Sequence, residues 1–176
     1  AATLPREDVR DAVLSLRYAS IDEVPAGSTV GSSSLRRQAQ LLNMRPDLNV
    51  VGFRGNVQTR LKKLEDGVAA ATFLAVAGLK RLKLEDRITA MIPTEQMLPA
   101  VAQGAIGIEI KAEDERTAQF IAPLNHEPTA LAVTAERAFL RKLEGSCRTP
   151  IAGLADLNGS QLVFRGQVLS PDGKVS

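Results

Sequence analysis

The sequence is poor in the side chains that most often carry chemistry. Among its 176 residues it has one cysteine, one histidine, one tyrosine and no tryptophan. A single cysteine excludes an internal disulfide framework and a cysteine-rich zinc site. One histidine leaves little room for a histidine metal site or proton relay, so no metal is expected. No uninterrupted apolar run approaches the roughly 20 residues that span a bilayer, so no membrane partner is expected. Aromatic residues make up 3% of the chain, which leaves few stacking platforms for nucleic acid. The formal net charge is only +2, which also argues against a general nucleic-acid affinity. Neither GxxxxGK[ST] nor GxGxxG occurs, which counts against nucleoside triphosphates and dinucleotides. No signal-like segment, internal repeat or low-complexity tract is visible.

What is present reads as a folded α/β protein. Hydrophobic residues make up 44% and charged residues 24%, close to the globular average. The length suits one or two domains. Charge is unevenly spread: residues 28–87 hold 11 Lys+Arg against 5 Asp+Glu, and residues 88–135 hold 2 against 6. Of the 22 basic residues 15 are arginine, whose planar fork suits carboxylate and phosphate. A local anionic ligand explains this pattern better than a nucleic-acid coat.

The pattern predicts strands over Ser28–Val30, Asn49–Phe53 and Ala70–Ala75. Helices are predicted from Ser34 to about Met44, from Val57 to Glu65 and around Gly78–Leu82. This alternation argues for a parallel or mixed sheet covered by helices. Residues 99–122 read as a Gly-punctuated apolar bridge followed by a charged stretch. A smaller α+β unit follows. Its helix is predicted over Thr129–Leu143, with Leu131, Ala135, Ala138, Phe139 and Leu143 on or near one face. Its hairpin is predicted from Ile151–Leu157 and Gln161–Leu169 around Asn158-Gly159. Pro171–Lys174 reads as a turn with no strand after it, so the chain is expected to be a fragment.

The candidate functional residues cluster at strand-to-helix junctions. Ser32, Ser33 and Ser34 precede a helix that opens with Arg36 and Arg37. A helix N-terminus offers free N–H groups and partial positive charge, so hydroxyls and arginines there make an anion site. A plain serine cap with two surface arginines accounts for the same residues. Arg54, Gly55 and Asn56 follow the second strand, with Arg60 on the next helix, and Arg81 follows the third. Cys147 lies in the loop GSCRTP. It reads either as a small buried hydrophobe or as a thiolate favoured by Arg148. His126 reads as a helix-capping or surface residue.

Five runs in this order resemble the porphobilinogen deaminase (hydroxymethylbilane synthase) family. They are GSSSLRRQAQLL, FRGNVQTRLKKLEDG, LAVAGLKRL, MLPAVAQGAIGIE and TAERAFLRKLEGSCRTPIAG, and the opening LPREDVRDA is also similar. The resemblance covers nearly the whole chain. It implies an α/β fold: a periplasmic-binding-protein-like domain with a mixed sheet, then a small α+β domain carrying a cofactor cysteine. The implied division is 1–9, a remnant of a first domain; 10–98, the second domain; 99–125, a return segment and linker; and 126–176, an incomplete third domain. The implied reaction joins four porphobilinogen units into the linear tetrapyrrole hydroxymethylbilane, with release of ammonia. The implied cofactor is dipyrromethane, joined by a thioether to Cys147. Ser33, Ser34, Arg36, Arg37, Arg54, Gly55, Asn56, Arg60, Arg81 and Gln103 match the family's cofactor- and substrate-binding positions. The partners implied are porphobilinogen and the growing polypyrrole, in a monomer. Relatives with these motif variants are bacterial or plastid-type, and bacterial cytoplasm is the expected location.

The family's catalytic aspartate would precede residue 1, so no catalytic residue is expected here and the chain alone is expected to be poorly active. Residues 105–122 are expected to find little to pack against. A solute-binding module for an anionic ligand is the competing reading, and a nucleic-acid-binding module a weaker one.

Overall fold

The computed structural model describes residues 1–146 and 148–176; Cys147 lies outside the described residues. The central element is a five-stranded mixed sheet. Its strands are β2 (Asp11–Leu14), β3 (Thr29–Gly31), β4 (Asn49–Val51), β5 (Ala71–Ala75) and β6 (Ala90–Ile92), in the order β4-β3-β5-β2-β6. Strand β3 runs parallel to β4 and β5, and β2 runs antiparallel to β5 and β6. Helices α1 (Leu35–Met44), α2 (Val57–Glu65) and α3 (Val76–Arg81) connect them. The sequence pattern missed β2 and β6. Strand β2 is only four residues long, opens on an aspartate and is buried throughout, so it shows no alternation.

Both faces of the sheet are covered. Val13, Val30 and Phe73 pack with Leu41 of α1 and with Ile92 and Met97 on one side. Ala12, Leu14 and Leu74 pack with Leu64 of α2, Val76 and Leu79 of α3, and Phe53 on the other. This is the period of two expected of a strand buried on both faces.

A short pairing of β1 (Ala2–Thr3) with β7 (Gly107–Ile108) lies outside that sheet. Residues 106–108 therefore have a partner, contrary to expectation, because the opening segment supplies a strand edge for them. The following helix α4 (Glu115–Ile121) buries no residue.

The C-terminal unit comprises α5 (Glu127–Lys142) and the antiparallel hairpin of β8 (Ile151–Asn158) and β9 (Gln161–Val168). Gly159, at φ +62°, makes the two-residue turn. The expected apolar face of α5 needs correction. Its buried residues are Thr129, Ala132, Val133 and Glu136, while Leu131 is 47% exposed and Ala138 and Leu143 are also exposed. Hydrogen bonds to Glu136 set this rotation, as described below. Phe139 does face the hairpin, with its ring 4.9 Å from that of Phe164. The turn at Pro171–Lys174 docks on α1, where Asn43 Nδ2 donates to the Gly173 carbonyl at 2.8 Å.

Candidate functional site

Strands β3 and β4 end side by side, and their carboxyl ends form one side of a cavity of about 290 Å3. Ser33, Leu35, Gln38, Gly52, Arg54 and Arg148 line it. Ligands of open α/β sheets collect at such ends, beside helix N-termini. Ser34 caps α1, its Oγ accepting from Arg37 N at 3.4 Å, and no acidic residue stands in the first turn. Ser33 is exposed. Gly31 lets the Phe53 ring lie directly against the end of β3, where a Cβ would collide with it.

The second junction is built by two residues with structural duties. Gly55 has φ +128°, and a Cβ there would lie 2.6 Å from Thr59 Cγ2. Asn56 caps α2, its Oδ1 accepting from Thr59 N at 2.9 Å. Gly55→Ala is expected to cost about 1–3 kcal/mol of stability, because φ near this value is strained for an L-residue. The check is the thermal unfolding midpoint. Arg60 Nε donates to the Gly55 carbonyl at 2.9 Å and so ties α2 back to that turn. Burial, then the nearby Arg37 charge, push the Arg60 pKa below the usual arginine value.

Arg36 and Arg37 turn inward. They are only 4% and 8% exposed, and both grip Asp11 at the start of β2. Arg36 Nη2 donates to Asp11 Oδ2 at 2.7 Å and Nη1 to the Leu98 carbonyl at 2.7 Å. Arg37 donates to Asp11 Oδ1 from Nη2 at 2.6 Å and from Nε at 3.1 Å. Gln103 Nε2 also reaches Asp11 Oδ1, at 2.9 Å. Burial opposes ionisation of Asp11, but the Arg37 and Arg36 charges and hydrogen bonds outweigh it, holding the carboxyl below its ordinary value. Burial likewise lowers the Arg36 pKa, with Asp11 opposing. Arg36 Nε is buried without a hydrogen-bond partner among the described residues.

Residues 1–119 match the family model described as "Porphobilinogen deaminase, dipyromethane cofactor binding domain". Residues 130–176 match "Porphobilinogen deaminase, C-terminal domain". The porphobilinogen deaminase of Paracoccus denitrificans is 62% identical over 170 residues, which is 97% of this chain and 54% of that protein. The chloroplastic porphobilinogen deaminase of Pisum sativum is 58% identical over 173 residues, 97% of this chain and 47% of that protein. The chain belongs to the porphobilinogen deaminase family. It spans about half the length of the curated relatives it matches. Among solved structures, a Salmonella typhimurium periplasmic binding protein with arginine specificity matches 80% of this chain and 63% of its own. Its TM-score is 0.43 at 14% identity.

Of the residues expected to bind cofactor and substrate, Ser34, Gly55 and Asn56 build the two helix starts, and the others fall into three places. Ser33 and Arg54 line the cavity at the strand ends. Arg36, Arg37 and Gln103 surround Asp11, with Arg60 beside Arg37. Arg81 is exposed and lines a different, larger cavity with Arg6, Glu7 and Lys80. Cys147 lies outside the described residues, so the structure places neither it nor a cysteine–histidine pair. His126 holds the N-cap position of α5, with ring Nδ1 2.8 Å from Thr129 Oγ1.

Sequence reasoning missed Asp11 and a second, largely buried ion pair, and it read Arg148 as a neighbour of Cys147 rather than as part of a cavity wall. Glu136 of α5 has no exposed surface. It accepts from Arg6 at 2.6 and 3.0 Å, from Ala102 N at 2.6 Å and from Ala155 N at 2.9 Å. One carboxylate therefore joins the opening segment, the turn after Leu98, α5 and β8. An aspartate at the head of an apolar run, and a glutamate among the apolar residues of a helix, were the available signals.

Proposed function

We propose that this chain supplies the carboxylate-binding part of a hydroxymethylbilane synthase, which condenses four porphobilinogen units with loss of ammonia. The observation that carries this is the strand-end cavity, which has two arginines and a serine in its wall and, among the described residues, no carboxylate. That donor set fits a ligand bearing several carboxylates, as each pyrrole of a dipyrromethane does. When bound, a dipyrromethane supplies a nucleophilic pyrrole carbon. The residues of this chain bind, orient and neutralise. Arg54 takes a carboxylate at the end of β4, and Ser33 adds a hydroxyl at the start of α1. Asp11 and Gln103 hold Arg36 and Arg37 in fixed rotamers, so little reorganisation is needed when an anion arrives. Cys147 is the proposed attachment point, and Arg81 and Arg60 are proposed ligand contacts.

The proposed organisation assigns residues 1–9 to a first domain, 10–98 to a second, 99–125 to the return segment and 126–176 to a third. The pairing of β1 with β7 apart from the main sheet supports that division. A monomer in the bacterial cytoplasm is the proposed state.

The test is intact mass and peptide mapping of the protein made from its source gene. A two-pyrrole adduct on the Cys147 peptide is expected. A bare thiol in protein supplied with porphobilinogen would overturn the reading. Arg36→Ala and Arg37→Ala are each expected to abolish the adduct or stall elongation.

A further inference from the structure

Arg148 lies between α5 and β8, in the C-terminal unit, whereas Arg54 follows β4 in the sheet unit. The fold nevertheless brings both into the wall of the same cavity. Among the described residues neither guanidinium forms an ion pair, unlike Arg6, Arg10, Arg36, Arg37 and Arg45. The other polar groups in the wall supply no counter-charge. Gln38 Nε2 already donates to the Ser32 carbonyl at 2.7 Å, and Ser33 is neutral. The first turn of α1 adds no acid. Two like charges facing one small cavity repel, and an anion between them removes that repulsion while accepting hydrogen bonds from both.

We propose that Arg148 is a carboxylate-binding residue that completes this cavity from the C-terminal unit. One carboxylate of a pyrrole ligand is then shared between Arg148 and Arg54, and the ligand bridges the two units. This rests on the function proposed above. It adds that the residue following the attachment cysteine helps to choose where the ligand's side chains sit. A lysine at this position keeps the charge but not the two-pronged geometry.

The test is an NMR titration of the chain with porphobilinogen, following the arginine Nε–Hε signals. In the unmodified chain the Arg54 and Arg148 signals are expected to move together with one dissociation constant. Arg148→Gln is expected to weaken binding roughly tenfold, the loss of one charge-assisted hydrogen bond, with Arg148→Lys in between. If the Arg54 signal moves, the Arg148 signal stays still and Arg148→Gln binds as tightly as the parent, this proposal is overturned while the cavity assignment stands. If neither signal moves at saturating ligand, the carboxylate-site reading falls with it. Arg148 is exposed, so its substitution leaves the core intact.

Discussion

Asp11→Ala is expected to destabilise the chain by about 3–5 kcal/mol, the range for breaking a buried ion pair by removing one partner. The reason is geometric. Asp11 is fully buried at the head of β2 and neutralises Arg36 and Arg37 together. Without it, two buried guanidiniums face each other with no counter-charge. A typical domain has only about 5–15 kcal/mol of stability, so this single change brings the chain near unfolding. Urea unfolding at neutral pH is the check. A loss below about 1 kcal/mol would show that the carboxylate is not what holds the arginines.

The same group predicts a pH dependence. The folded-state pKa of Asp11 lies below its ordinary carboxyl value. Its contribution is therefore fully present above about pH 4 and is lost as pH falls through the depressed folded value. Asp11→Asn keeps the shape and removes the titration. The variant is expected to show a flatter acid limb in its urea midpoints than the parent. Equal acid limbs would assign the loss to other carboxylates.

The second large effect is expected at Glu136. Glu136→Ala removes the only acceptor common to Arg6, Ala102 N and Ala155 N among the described residues, leaving two N–H groups without it and a part-buried guanidinium with only its Nε bond to the Gln103 carbonyl. A loss of about 3–5 kcal/mol is expected for the ion pair. Because Glu136 joins the C-terminal unit to the opening segment, the hairpin is also expected to loosen relative to the sheet. Hydrogen exchange reads this separately: β8 amides lose protection in Glu136→Ala, while β3 and β5 keep theirs. Glu136→Gln keeps the size and two of the acceptor contacts, so its cost is expected to be smaller. Uniform loss of protection across the sheet would show that Glu136 acts on the whole core and not on this junction.

Much of the scaffold follows from local pattern. The helix over 57–65 is delimited by the Asn56 cap and by Gly67 at φ +72°, both visible as residue types. Strands β3 and β5 are short apolar runs beside turn residues, and the hairpin announces itself at Asn158-Gly159. Strands β2 and β6 are different. Strand β2 lies between β5 and β6, strand β6 is an edge strand held by β2, and neither carries a periodic signal of its own. The rotation of α5 also escaped, because counting apolar residues cannot anticipate a glutamate held inside by three separate segments.

The candidate site divides along the same line. The sequence by itself determined that arginines and serines gather where strands hand over to helices, since capping and strand-end chemistry are local. It also determined the family, through five runs in fixed order. Only the tertiary structure decided which arginines line the strand-end cavity and which are gripped by a buried carboxylate. Arg36 and Arg37 turn toward Asp11 because β2 enters the sheet next to β5, and a buried carboxylate there needs cationic partners. Arg54 and Arg148 meet across one cavity because the C-terminal unit docks beside the ends of β3 and β4. Such pairings depend on contacts between residues far apart in the chain, and no local pattern encodes them.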